Sequence, residues 1–200
     1  MKKNISKELV VQTALDMIRD QNNLKGINLR EVARTLGCAH TNLYNYFSSY
    51  SDLLWEAYIA LLDRSIDGLN EQIASCPDGL SRLNCFFQRF VDTYLDNQGW
   101  FRLAWQEYID AERPEKVSCV IEKTNHVLTQ TVCEIWSELS ATPSTHELMK
   151  QILHDTHCYI IGEVSNYILG RGIIEDKNEL KKYITNKAVL IFMLCAKEEG

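Results

Sequence analysis

Breakers of regular structure are scarce in this chain, with three prolines and nine glycines in 200 residues. That scarcity favours long helices over many short strands joined by turns, and argues against an all-β sandwich. Long apolar runs are missing as well. The longest, Ala188–Ala196, falls far short of the roughly 20 residues of a bilayer span. The N-terminal MKKNISKELVVQTALDM has basic residues but no uninterrupted apolar stretch of the kind a secretory signal needs. The expectation is a protein that neither spans a membrane nor is exported. The cysteines number seven and include no C-x-x-C pair, which points away from a disulfide framework or zinc cluster and toward a reducing cytoplasm. No strand alternation, internal repeat or low-complexity stretch is found.

What is present is an ordinary globular composition. Hydrophobic residues make up 46% and charged residues 24%, enough to bury a core without metals or disulfides. The net charge of −6 repels polyanions as a whole, so a nucleic-acid partner must rest on a local patch. Charge is unevenly spread in a way that allows one. Residues 1–50 carry seven Lys/Arg against four Asp/Glu, a net of +3, whereas residues 51–200 carry fourteen against twenty-three, a net of −9. A basic head precedes an acidic body.

Helical periodicity recurs nearly throughout. Leu9, Thr13, Ala14, Met17 and Ile18 define an amphipathic helix at about 5–21. After a polar break at Asn22-Asn23 and Lys25-Gly26, Asn28 with Glu31 resembles a capping box opening a second helix, faced by Leu29, Val32, Ala33 and Leu36. Gly37 ends it where a left-handed backbone costs least. Ala39, Leu43 and Phe47 then mark a third, short helix. From the cap-rich Ser48–Asp52 a long fourth pattern runs through Leu53, Ala57, Leu61 and Leu69 to Ile73. Cys76-Pro77-Asp78-Gly79 is the clearest break, and further helices follow at about 80–97, 100–111, 114–140, 144–171 and 177–197. The fold class expected is all-α with about nine helices. It comprises a three-helix head at 1–50, a linking helix at about 51–74, and a helical bundle at 75–200.

The informative segment is NLREVARTLGCAHTNLYNYFSSYSDLL, residues 28–54. Two short helices joined by a tight turn set the second at a steep angle, the geometry by which a recognition helix enters a DNA major groove. With Leu43 and Phe47 facing the core, His40, Thr41, Asn42, Tyr44, Asn45 and Tyr46 remain outside. Asn reads adenine bidentately, Thr meets a thymine methyl, and tyrosine hydroxyls donate to phosphates.

The run L-x-x-V-A-x-x-L-G-C-x-x-x-x-L-Y-x-Y-F-x-S-x-x-D-L-L resembles the DNA-binding head of the tetracycline-repressor (TetR) family of bacterial regulators. The match covers about residues 5–60, and its most specific part is Leu43-Tyr44-x-Tyr46-Phe47 followed by Asp52-Leu53-Leu54. The resemblance implies an all-α homodimeric repressor, not an enzyme, whose two heads bind a pseudo-palindromic operator and whose C-terminal domain takes a small-molecule effector. Carried over, it makes Arg30, His40, Thr41 and Asn42 base contacts and Tyr44 and Tyr46 phosphate contacts. Two positions depart from the family pattern. Ala39 stands where a capping Ser is frequent, and Tyr50 where a phosphate-binding Lys is usual. The Tyr50 hydroxyl and the following helix terminus are then the candidates for that phosphate, with Lys2, Lys3, Lys7, Lys25 and Arg34 as compensating charge.

In the body, Trp100, Phe101, Trp105 and Tyr108 crowd one short segment, either as core or as the lining of an apolar effector pocket. His126 and His157 are the polar candidates for such a pocket. His126, His154 and His157 are also weighed as a metal set, and Cys158 with a histidine as a nucleophile pair, but neither has a specific signature. No catalytic residue, metal or cofactor is assigned. The last two helices carry apolar arcs wider than one core face requires, including Ile161, Tyr167, Tyr183, Leu190 and Leu194, which suits a two-fold dimer interface. Two alternatives remain open: a helix-turn-helix interaction module that no longer binds DNA, and a small helical enzyme or metal-binding protein.

Overall fold

The computed structural model describes residues 5–19, 24, 26–110, 112–140 and 144–198. Lys2, Lys3 and Lys25 lie outside these residues, as do Asn22-Asn23 and Thr142-Pro143. Among the described residues there are nine α-helices, one 3₁₀ helix and no strand: α1 (Lys7–Arg19), α2 (Leu29–Leu36), the 3₁₀ helix (His40–Asn45), α3 (Tyr50–Ile66), α4 (Leu69–Ala74), α5 (Gly79–Asp96), α6 (Gln98–Trp105), α7 (Glu115–Leu139), α8 (His146–Ile168) and α9 (Lys177–Glu198). Among these residues no helix is long and apolar enough to cross a membrane.

The chain forms two compact units, residues 1–64 with 97–120, and residues 65–96 with 121–200. The segment 97–120, expected in the C-terminal bundle, therefore clusters with the N-terminal helices. Its Leu103 and Ile109 complete the first unit's core of Val10, Ala14, Leu15, Ile18, Val32, Leu43, Phe47 and Leu53. Within that unit α6 packs on α1. Gly99 permits this, because its missing side chain leaves room for the Ile18 carbonyl. The buried stripe of α1 runs through Val10, Val11, Ala14, Leu15 and Ile18, with Leu9 and Met17 only half-buried. That is about one position round from the expected face, because α6 forms a second contact surface, reaching the α1 backbone at Leu15 and Ile18.

Local chemistry accounts for the helix ends. Asn28 Oδ1 accepts from the N–H groups of Arg30 (3.0 Å) and Glu31 (3.2 Å), capping α2. The expected capping box is only half made, since the Glu31 carboxylate holds the Arg34 guanidinium. Gly37, at φ 71°, closes α2 in the left-handed region, with its N–H on Arg34 O and that of Cys38 on Ala33 O. At α3, Ser49 Oγ accepts from the Asp52 N–H and Asp52 accepts from the Ser48 N–H, a reciprocal cap.

The long fourth helix does not run unbroken to Ile73. Gly68 takes φ 67° and splits it into α3 and α4. Arg89 stabilises the break by donating to the carbonyls of Ser65 and Asp67 and to the Gln72 side chain. The rest of the second unit packs α5 and α8 against α9. Phe86, Phe87 and Phe192 are fully buried at its centre. Lys181 spans Asp92 and Asp96 at 2.9 and 2.6 Å, tying the rim of α9 to α5.

Candidate nucleic-acid interface

The second element of the helix-turn-helix is a six-residue 3₁₀ helix in place of the short α-helix expected. Ala39 at its start supplies no side-chain cap. The element is held instead from beneath, by Leu43 (0% exposed) and Phe47 (1% exposed). A 3₁₀ helix eclipses positions three apart, so one buried Leu anchors the whole element. His40, Thr41, Asn42, Tyr44, Asn45 and Tyr46 all face solvent, as does Arg30 on the neighbouring α2. The side chains of Thr41, Asn42 and Asn45 hold no hydrogen bond among the described residues, which leaves their donors and acceptors available.

The tyrosines separate into three roles. Tyr44 is 55% exposed, stands edge-on to His40 at 6.3 Å between ring centroids, and its hydroxyl holds no hydrogen bond among the described residues. Tyr46 differs, because its hydroxyl donates to the Ile5 carbonyl at 2.6 Å. The proton expected to serve a phosphate is thus committed to holding the chain entering α1. Tyr50 is half-buried, and its hydroxyl has no hydrogen-bond partner among the described residues. Burial, with the nearby Glu107 carboxylate, pushes this phenol up to about 12. Among the described residues, then, the Tyr50 hydroxyl is enclosed and makes no hydrogen bond in this arrangement.

Charge near the element is also partly spent. Lys7 and Lys116 both pair with Glu56, and Arg34 pairs with Glu31 at 2.6 Å. Burial acts to raise the Glu56 carboxyl, but the hydrogen bonds from Lys116 and Lys7 outweigh it and hold it below its usual range.

This arrangement can be set beside known proteins. No protein-family model and no curated protein sequence matches the chain. Solved structures do. A TetR/AcrR-family transcriptional regulator from Thermobifida fusca aligns over 92% of this chain and 96% of its own, at a TM-score of 0.65 and 16% identity. The fold seen here is the fold of that family. FadR from Bacillus subtilis, solved in complex with stearoyl-CoA, aligns over 92% and 98% with a TM-score of 0.69 and 15% identity. A protein of unknown function from Rhodococcus sp. RHA1 aligns over 94% and 97% with a TM-score of 0.74 and 13% identity. At such identities the likeness is one of fold.

Within this TetR-type fold the six pocket candidates have separate surroundings. Trp100 donates its indole N–H to the Leu15 carbonyl at 2.8 Å and lies under the Arg64 guanidinium, 5.2 Å from the ring centroid. Phe101 is fully buried, whereas Trp105 and Tyr108 are 42% and 84% exposed. A groove of about 330 Å³ between α1 and α3, lined by Val11, Leu15, Ala60 and Arg64 among others, includes none of the six. In the second unit His126 is exposed beside His146, with ring centroids 5.5 Å apart. His157 meets Tyr94, whose hydroxyl is 2.8 Å from Nε2, and the ring of Phe90. Burial, reinforced by His154, pushes His157 down to about 4, so its imidazole is neutral at physiological pH. His126, His154 and His157 do not gather, and among the described residues no three His, Cys, Asp or Glu side chains form a metal-binding group. Tyr94 was not singled out from the sequence. Its signal was Phe90 four residues earlier on the same face of α5.

Proposed function

We propose that this protein is a ligand-responsive transcriptional regulator that binds a pseudo-palindromic DNA operator as a homodimer and represses until a small molecule releases it. The observation that carries the reading is the exposed set His40, Thr41, Asn42 and Tyr44, presented with free hydrogen-bonding groups on an element pinned by Leu43 and Phe47. His40, Thr41, Asn42, Asn45 and Arg30 are assigned to base edges and the Tyr44 hydroxyl to a phosphate. Two half-sites one helical turn apart require two heads. The dimer contact is assigned to α8 and α9, where Leu190 and Leu194 are 47% and 51% exposed on successive turns. The effector is assigned to the second unit, with His157 and Tyr94 as its polar anchor. Since FadR was solved with stearoyl-CoA, a long-chain acyl-CoA is the first effector to try. The cytoplasm is the compartment this function requires.

A second reading, an interaction module without DNA binding, draws on the enclosed Tyr50 hydroxyl and on the pairing of Lys7 and Arg34 with carboxylates. Selection of duplexes from a random pool at near-physiological salt, followed by anisotropy titration of the winner, separates the two. Enrichment of an inverted repeat whose binding weakens as salt rises supports the regulator. A folded dimer that enriches nothing, with and without acyl-CoA, refutes it.

A further inference from the structure

Cys76 lies two residues beyond the end of α4, and Cys85 occupies the second turn of α5, across the Pro77-Asp78-Gly79 turn. Their Sγ atoms stand 2.6 Å apart. That is closer than two unbonded sulfurs sit, and a small shift from the ~2.05 Å of a disulfide. We propose that Cys76 and Cys85 are an oxidative modification site, a dithiol that closes reversibly to a disulfide under a hydroperoxide.

Several contacts hold the pair in register. Asp78 caps α5 by accepting from the Ser81 N–H at 2.8 Å and the Ser81 hydroxyl at 3.1 Å, which fixes the turn between the cysteines. Arg82 Nε donates to the Cys76 carbonyl at 3.4 Å, tying the Cys76 backbone directly to α5. The Cys76 thiol also lies 3.6 Å from the Gln72 carbonyl, so α4 orients it. Both cysteines belong to the second unit, so the site is complete within one compact unit. Among the described residues the other five cysteines lie singly, with no second sulfur beside them.

The chemistry balances as a two-electron exchange. Cys85 is the more exposed of the two residues. Its thiolate attacks the terminal oxygen of the hydroperoxide, the O–O bond breaks, and the alkoxide leaves with the Cys85 proton as an alcohol. The Cys76 sulfur then attacks the resulting sulfenic acid, an Sγ–Sγ bond forms, and hydroxide takes the Cys76 proton and leaves as water. Two thiols are oxidised and one peroxide is reduced. The hydrogen bond with Cys76, together with burial, pushes the Cys85 thiol up to about 11. Reaction therefore runs through a small thiolate fraction and is slow at neutral pH. The product staples the end of α4 to α5, and a thiol reductant reopens it. In a reducing cytoplasm such a bond is transient and reports oxidant.

The test uses the full chain, reduced and then treated with hydrogen peroxide in mildly alkaline buffer. Free thiols are alkylated, and the unfolded protein is cut with trypsin. Cleavage at Arg64, Arg82 and Arg89 puts Cys76 in peptide 65–82 and Cys85 in peptide 83–89. The expected result is these two peptides joined, lighter by two hydrogens than their sum, and separated by dithiothreitol. The intact oxidised protein melts at a higher temperature than the reduced one, and Cys85→Ser abolishes that difference. Recovery of both peptides alkylated, over-oxidation of Cys85 without a link, or a link through another cysteine overturns the proposal.

Discussion

Gly99 offers the sharpest test of how the first unit is built. A Cβ at this position would stand 1.7 Å from the Ile18 carbonyl oxygen, 2.7 Å from its carbon and 2.9 Å from the Arg19 oxygen. Close C–H···O contacts in proteins settle at about 3.3–3.6 Å, so α1 and α6 must part by roughly 1.6 Å or more in Gly99→Ala. The obstacle is backbone, which cannot rotate aside. Overpacking of this kind costs about 1–3 kcal/mol. Parting the helices also strains the Trp100–Leu15 hydrogen bond, worth about 1 kcal/mol, and the Arg64–Trp100 contact, worth about 0.5–1 kcal/mol. Alanine recovers about 0.5–1 kcal/mol of helix propensity over glycine. The balance is a loss of about 2–3 kcal/mol. For a chain of this length that lowers the melting temperature by roughly 4–12 °C. Circular dichroism gives the melt, and Trp100 fluorescence reports whether the indole has left its place. A variant that melts within a degree of the parent, with unchanged fluorescence, refutes the packing of α6 on α1. Trp100→Phe calibrates the result, since it removes the hydrogen bond without the collision and should cost about 1–2 kcal/mol.

Other predictions follow from the candidate sites. Asn42→Ala and His40→Ala should each lose about 1–3 kcal/mol of discrimination between the selected operator and its point variants, whereas Tyr44→Phe should weaken all sequences alike; anisotropy against matched and scrambled duplexes measures both. Tyr46→Phe frees the Ile5 carbonyl, so its first effect should be faster amide exchange at the start of α1, before any change in base preference. The His157 ring resonances should stay in the neutral form until the pH falls well below 6.5. Because its folded value is depressed to about 4, its contribution to stability is complete above its unfolded pKa and is lost as pH falls through that window. His157→Gln should flatten the acid limb of the denaturation profile between pH 6.5 and 4, and an unchanged slope would exclude the depressed value. Glu56 follows the same sign, stabilising above its unfolded value and losing that contribution as acid protonates it. Glu56→Gln should therefore narrow the stability gap between neutral and strongly acidic solution.

The sequence exposes some of these features and hides others for identifiable reasons. Leu43, Phe47 and the Gly37 terminus are readable because burial and left-handed backbone leave strong local signals, and the outward set His40 to Tyr46 follows by elimination. The 3₁₀ winding of that element is not readable, because six residues with a single central anchor suit either helix type. The break at Gly68 was masked by apolar positions that keep helical spacing on both sides, and what settles it is Arg89, whose relevance depends on tertiary approach. Tyr46 and Tyr50 look alike as phosphate donors in sequence. Only packing distinguishes them, since one hydroxyl reaches the Ile5 carbonyl and the other is walled in. The aromatic segment at 99–109 suggested a pocket because rings at helical spacing serve a ligand or a core equally. Trp100 is committed to α1 through a backbone carbonyl, a partner that no side-chain pattern announces.

The placement of 97–120 in the first unit changes what a ligand event has to accomplish under the proposed function. The chain crosses between the units three times, near residues 64, 96 and 120. Two of these crossings bracket α6 and the stretch after it, which fill the first unit's core through Leu103 and Ile109. The end of α5 and α7 are therefore joined covalently to the two edges of a segment that belongs to the head's core. At Gly99, α6 meets the α1 backbone without an intervening side chain. Within the same unit α6 packs on α1, and the chain entering α1 carries the Ile5 carbonyl that holds Tyr46, on the element that presents His40, Thr41 and Asn42.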